Sequence, residues 1–368
     1  MPAARDRPVP VESGVPGSCL MGATPFEYRL DLEPEGRLDV ADLRQSVREV
    51  NEMVGHYQKT LFCSSHTTAG FFEQSLGSRL GRNQGVDGFL QLIQELFPQQ
   101  ADYKFGRLGQ KAGNAASHLR YIGAGLRNCV TYHNHIDSPV YFVDLDGLAD
   151  DGEPRKRNAA VLGYDEERVV HEETLPIPVS MHPIDSVNLR GDQVGLFEKL
   201  RELATTHGIE KGRIDLTLDA DERDAGLTVN LYETLLMQND LREVLRDPLR
   251  FLSEKGRNLL RDAKRRDPVA IANKTIDYAK YDLVTVVNQL FDVTGFNESF
   301  IERFIARFVA VPADRLFRMK RSVSYLVSDL GGSSSEIVQG TDQSPILLQW
   351  RKSESQSRNV RIRLVQFA

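Results

Sequence analysis

Apolar and polar residues alternate along Phe26-Glu27-Tyr28-Arg29-Leu30-Asp31-Leu32, the period of a strand with one buried face. From Asp39 the period lengthens. Val40, Leu43, Val47, Val50 and Val54 share one helical stripe, with Asp39 placed to cap the first turn and Gly55 to close it. The apolar run at 59–63 predicts a second strand, which ends on Ser64-Ser65-His66-Thr67-Thr68-Ala69-Gly70. Residues 89–97 form an amphipathic helical segment that stops at Pro98. The glycine-rich, basic stretch 103–113 reads as a loop, and 119–126 fits either a helix or a strand. Strand signals return at 129–132, 139–143 and 157–162. Residues 26–163 therefore read as one α+β unit of strands interrupted by two helices.

The second half repeats this plan. An amphipathic helix at 194–206, with Leu196, Leu200 and Leu203 in register, ends at Gly208. The strand Arg213-Ile214-Asp215-Leu216-Thr217-Leu218 leads into Glu222-Arg223-Asp224-Ala225-Gly226-Leu227-Thr228-Val229-Asn230, set against His66-Thr67-Thr68-Ala69-Gly70. Near the end, Ser344-Pro345-Ile346-Leu347-Leu348-Gln349-Trp350 mirrors Ser138-Pro139-Val140-Tyr141-Phe142-Val143-Asp144. Arg358-Asn359-Val360-Arg361-Ile362 likewise mirrors Arg157-Asn158-Ala159-Ala160-Val161. The start words lie 156 positions apart and the end words 206, so the second unit holds an insertion, about 241–322, that reads as helical. Its clearest helix follows Asn297 and places Phe300, Ile301, Phe304, Ile305, Phe308 and Val309 on one face, a core stripe or a partner-binding face. The basic run 257–266 reads as a solvated helix face.

The expected organisation is a loose arm at 1–22, a site-bearing unit at 23–165, a linker at 166–183 and a second unit at 184–368. Proline-rich and without a continuous apolar core, the arm reads as neither a signal peptide nor a membrane span. The 368 residues are 40 % hydrophobic and 27 % charged, enough to bury real cores. A net charge of −6 with interleaved signs gives no footprint for nucleic acid. The cysteines, Cys19, Cys63 and Cys129, form no CxxC pair, which points away from a disulfide framework and towards a reducing cytoplasm.

Candidate chemistry gathers in the first unit, where His66, His118, His133 and His135 are four of eight histidines. His133-x-His135 on a strand would aim both rings one way, as a chelating pair needs. As hydrogen-bonded residues at strand ends, the same histidines need no site at all. Thr67 and Thr68 offer hydroxyls to an anionic group, or serve strand propensity. Glu73 is a candidate general base or a carboxylate that orients an imidazole. Arg157 could grip a phosphate or form an ordinary ion pair.

The words His66-Thr67-Thr68-Ala69-Gly70, Asn114-Ala115-Ala116-Ser117-His118-Leu119 and Ala225-Gly226-Leu227-Thr228-Val229-Asn230 resemble the YjbQ-like family, often described as secondary thiamine-phosphate synthases. The likeness covers 26–163 well and 184–367 faintly. It implies an α+β fold of two mixed-sheet YjbQ-like units in tandem, the second degenerate, with Glu222 where the first has His66. It also implies a metal-dependent enzyme acting on a small phosphorylated or heterocyclic substrate. His66, Glu73 and His118 would be catalytic, and Thr67, Thr68 and Arg157 would bind substrate. His66, His118, His133 and His135 would hold a divalent metal, zinc, and the chain would form a homo-oligomer, a trimer in the family's manner. The chain departs from the family at Tyr103-Lys104-Phe105, where a histidine is usual, and at Gln74-Ser75, where an Asn-Glu pair is usual. These departures favour the alternative, a non-catalytic tandem binding or structural module.

Overall fold

The computed structural model describes residues 24–50, 52–82, 85–97, 99, 114–181, 185–192, 194–232, 320–329, 335–349 and 351–368. The loop expected at 103–113, the basic run and the phenylalanine stripe of the insertion lie outside these residues. The first half runs β1 (Phe26–Leu32), β2 (Asp39–Asp42), α1 (Leu43–Val50), a 3₁₀ turn (Glu52–His56), β3 (Lys59–Ser64), β4 (Ala69–Phe71), α2 (Gln74–Arg82), α3 (Val86–Leu96), α4 (Ala115–Ala124), β5 (Cys129–His133), β6 (Tyr141–Asp144) and β7 (Arg157–Tyr164). The second half runs β8 (Glu167–Pro178), β9 (Asp185–Asn188), α5 (Leu196–Thr206), β10 (Gly212–Leu218), β11 (Ala225–Asn230), β12 (Ser322–Ser328), β13 (Glu336–Val338), β14 (Ser344–Gln349) and β15 (Ser357–Phe367).

The fold is mixed α and β, with small antiparallel sheets in both halves, and their strand orders correspond. The first half has sheets β1-β7-β3-β5 and β2-β6-β4; the second has β8-β15-β10-β12, extended by β13, and β9-β14-β11. In register, Ala69 pairs with Asp144 and Ala225 with Gln349, so Asp144 and Gln349 occupy matching places. The sequence comparison had set Asp144 against Trp350, one residue off. In a strand that slip would exchange the two faces.

Two expectations change at the sheet edges. Residues 39–42 continue as β2, paired with β6, and the helix begins only at Leu43. Asp42, not Asp39, caps it, its Oδ1 accepting from the Arg44 N–H at 3.2 Å. The stretch read as a linker, 166–183, is largely the strand β8, paired with β15 along its length and standing where β1 stands in the first half. Its three glutamates and two prolines suit an exposed edge strand, which masked it. Among the described residues no helix is long and apolar enough to cross a membrane.

Among the described residues, three core clusters follow from strand alternation. Phe62, Val130, Tyr132, Val161 and Phe142 form a core cluster of the first unit. Ile214, Leu216, Leu218, Val323, Tyr325, Val360, Ile362 and Leu364 pack with Leu196 and Leu200 of α5 in the second. The opposite faces of the two larger sheets meet, and Leu61, Cys63, Cys129, Leu162 and Tyr164 close against Leu326, Val365 and Phe367. This shared layer fixes the units against one another. Beside it the Gly340 backbone lies so close to the Ser65 carbonyl that a Cβ there would collide with it, and Gln343 donates to the carbonyls of Ser64 and His66 at 2.9 Å each.

Candidate functional site

β3 delivers His66 as expected, onto the turn that follows the strand. There its Nε2 accepts the backbone N–H of Asn158 at 3.0 Å, which makes Nδ1 the protonated nitrogen. Burial, and then the neighbouring Arg157 cation, lower its pKa to about 4. The second unit shows what this bond is for. Glu222, at the matching place, accepts the N–H of Asn359 at 2.7 Å through its carboxylate. A histidine and a glutamate tie down the same backbone group, one in each half, so the tie itself is architectural.

Arg157 is spent on the fold. Its Nε donates to Asp144 Oδ2 at 2.6 Å, and its Nη2 donates to Asp144 Oδ1 and the Asp146 carbonyl at 3.0 and 2.8 Å. A longer contact reaches the Thr68 hydroxyl. Arginine and aspartate are both buried, so the phosphate grip expected of Arg157 and Thr68 is not free to form. Arg358 repeats the arrangement with Gln349 and Glu222. Thr67 lies half-buried on the same turn.

His118 sits within α4, whose residues are all buried, and reaches the second unit. Its Nδ1 lies 2.6 Å from Asn230 Oδ1, while Asn230 Nδ2 donates to the His118 carbonyl at 3.1 Å. Asn230 Oδ1 also accepts the Leu231 N–H at 2.8 Å, which fixes the orientation of the amide. The oxygen therefore faces Nδ1, the ring proton sits there, and Nε2 carries the lone pair. Burial lowers the pKa of His118 to about 4 against the opposing effects of Asn230 and Asp342. Asn230 closes the Ala-Gly-Leu-Thr-Val-Asn word that the sequence had marked, but nothing in the sequence said that it meets His118.

This has a measurable consequence for stability. The unfolded chain protonates His118 near the ordinary histidine pKa of about 6.5 and the folded chain only near about 4. Its contribution is thus present above pH 6.5 and lost as the pH falls to about 4. Between pH 7 and pH 5, wild type should lose on the order of 1–2 kcal/mol more than His118→Gln in urea unfolding. Equal losses would mean that the ring is not held neutral.

Glu73 stands apart from these histidines. Burial pushes its carboxyl up, but the cations of Arg127 and Lys320 outweigh burial and hold it below the usual carboxylate range. It borders a polar cleft of about 340 Å³ between the two larger sheets, together with Arg127 of the first unit and Asp215, Thr217, Ser322 and Arg363 of the second. His133 and His135 are exposed at the end of β5, their rings 5.6 Å apart, while His66 and His118 are each engaged elsewhere.

The four histidines therefore do not converge. Among the described residues no three of His, Cys, Asp or Glu are grouped to hold a metal ion. The ring nitrogen that His66 turns to Asn158 is also not open to coordination. The zinc set that the resemblance implied does not fit this arrangement.

No family model matches the sequence, and no curated protein matches it. Solved structures do. A hypothetical protein from Aeropyrum pernix K1 is 20 % identical, with a TM-score of 0.30, over 38 % of this chain and 99 % of its own. A YbjQ-like protein of unknown function from Sulfolobus solfataricus P2 is 10 % identical, with a TM-score of 0.28, over 55 % and 99 %. An uncharacterised conserved protein of the YjbQ/UPF0047 family from Clostridium acetobutylicum is 20 % identical, with a TM-score of 0.26, over 36 % and 97 %. Over part of its length, this chain is thus similar to solved structures of the YjbQ/UPF0047 family.

Proposed function

We propose that the protein acts on a small phosphorylated or heterocyclic molecule at the junction of its two units, with His118 as the proton acceptor. The observation that supports this is the Asn230 amide, fixed by Leu231, which holds the proton of His118 on Nδ1. The ring is kept neutral at physiological pH, with Nε2 as its basic nitrogen. Asn230 orients this imidazole across the junction as a carboxylate or amide does in other acid–base sites. The buried free thiols Cys63 and Cys129 fit a reducing, cytoplasmic setting.

A screen of phosphorylated thiazole and pyrimidine compounds, read by thermal shift and then by turnover, tests the reading. His118→Gln should lower turnover of an active compound by about 10²–10⁴ with little change in KM. Asn230→Ala should lower it as well. His66→Ala should leave the metal content of the purified protein, measured by elemental analysis, as it is in wild type. Turnover that survives His118→Gln would refute the assignment.

A non-catalytic tandem module is the second reading. It is favoured by Arg157 and Glu73 being bound into ion pairs and by Glu222 taking over the hydrogen bond that His66 makes. Failure of the wild type to turn over any compound in the screen would favour it.

A further inference from the structure

The face that the larger sheet of the second unit turns towards the first is apolar at one end and polar at the other. At the apolar end Leu326, Val365 and Phe367 fill the shared layer. At the polar end the same strands carry rows of hydroxyl and charged side chains. Ser324, Asp215 and Arg363 stand side by side across β12, β10 and β15, and Thr217 faces Ser322 in the next row. The strand period makes this a choice of residue type. Ile214, Leu216 and Ile362, their neighbours one position along, point into the core of the second unit.

Leucines at these polar places would continue the apolar layer at no desolvation cost. Instead the chain keeps the cleft hollow, about 340 Å³, and lines it with guanidinium and hydroxyl groups. Arg127 enters from the first unit, its Nη1 donating to the Ser322 carbonyl at 2.7 Å and its Nε to Glu73. Arg213 spans both units, with Nη1 on the Thr131 hydroxyl at 3.0 Å and Nε on Asp215 at 2.8 Å. Ser324 also donates to Asp215, at 2.6 Å. The part-buried carboxylate Asp215 is thus already satisfied, and Arg127 and Arg363 border the space with Thr217 and Ser322, Arg363 half exposed with its Nε 3.1 Å from Glu172.

We infer that this cleft binds the oxyanion group, phosphate or carboxylate, of a small molecule, held by Arg127 and Arg363 above the Thr217 and Ser322 hydroxyls. Planar guanidiniums match either group in a bidentate fashion. Glu73, engaged with Arg127, and Glu172, engaged with Arg363, compete with the ligand for the two cations. Neither His118 nor Asn230 lines the cleft, so the inference stands apart from the proposed role of His118.

Calorimetric titration of the full chain with inorganic phosphate and, separately, with acetate, at fixed ionic strength, tests it. The tighter of the two ions identifies the group the cleft accepts. Arg363→Gln should weaken that binding about tenfold, the loss of one charge-assisted contact. Glu73→Gln should tighten it several-fold by releasing Arg127. Arg351→Gln, an exposed arginine outside the cleft, should leave it unchanged. No heat with either ion would overturn the site, and so would equal weakening by Arg351→Gln and Arg363→Gln, which would mark a general charge effect.

Discussion

Arg157→Ala should destabilise the protein by about 3–5 kcal/mol, the cost of leaving a buried carboxylate without its cation. Asp144 is almost wholly buried and depends on Arg157 for two of its contacts. With the guanidinium gone, the Asp144 carboxylate keeps only the Asp146 N–H among these contacts. The carbonyl of Asp146 loses its donor in the same step. Urea unfolding followed by circular dichroism reads the loss directly. The double variant Arg157→Met with Asp144→Leu provides the contrast, because it removes the unpaired carboxylate and should recover part of the stability, the Asp146 N–H and carbonyl still lacking their partners. A single variant as stable as wild type would mean that the pair is exchanged for water without penalty. If Arg157 instead served to hold a phosphate, its removal would cost ligand affinity and little stability.

Tyr164→Ala should cost about as much, about 3–5 kcal/mol, because it empties the layer between the units. Tyr164 is fully buried and stacked on Phe367 of the last strand, ring centroids 3.9 Å apart and planes 14° from parallel. Its hydroxyl donates to Glu167 at 2.7 Å, so Tyr164→Phe tests the polar edge alone and should cost only about 1 kcal/mol. The alanine variant removes packing that belongs to both halves at once. Unfolding in two steps for Tyr164→Ala, against one for wild type, would show that this layer couples the units. A loss confined to about 1 kcal/mol in both variants would locate the coupling elsewhere.

Much of the architecture could be read from local periodicity. The alternation at 26–32, the apolar run that becomes β3, the helical stripe ended by Gly208 and the repeated Arg-Asn words all describe elements that exist. His118 was marked, and Asn230 stood at the end of a marked word. What periodicity misjudged were segments whose state depends on a distant partner. Residues 39–42 carry part of a helical stripe but pair with β6, and 167–178 is too charged to look like a strand until β15 lies beside it. The chemical roles were harder still. Arg157 and Glu73 have the composition of ligand-binding groups, and only their distances to Asp144, Arg127 and Lys320 show them bound into ion pairs.

The sequence by itself determined the α+β class, the repeated order of elements and the residue types that could do chemistry, because side-chain period and turn chemistry are local properties of the chain. Which of those residues work together was decided by the tertiary structure. Sheet pairing and the packing of one unit on the other bring Asn230 to His118 across 112 positions and bring Ser322 to Arg127 across 195. The same packing separates His133 and His135 from the other two histidines. Hydrogen bonds and charges act over a few ångströms, and spacing along the chain does not record which distant residues come within that range.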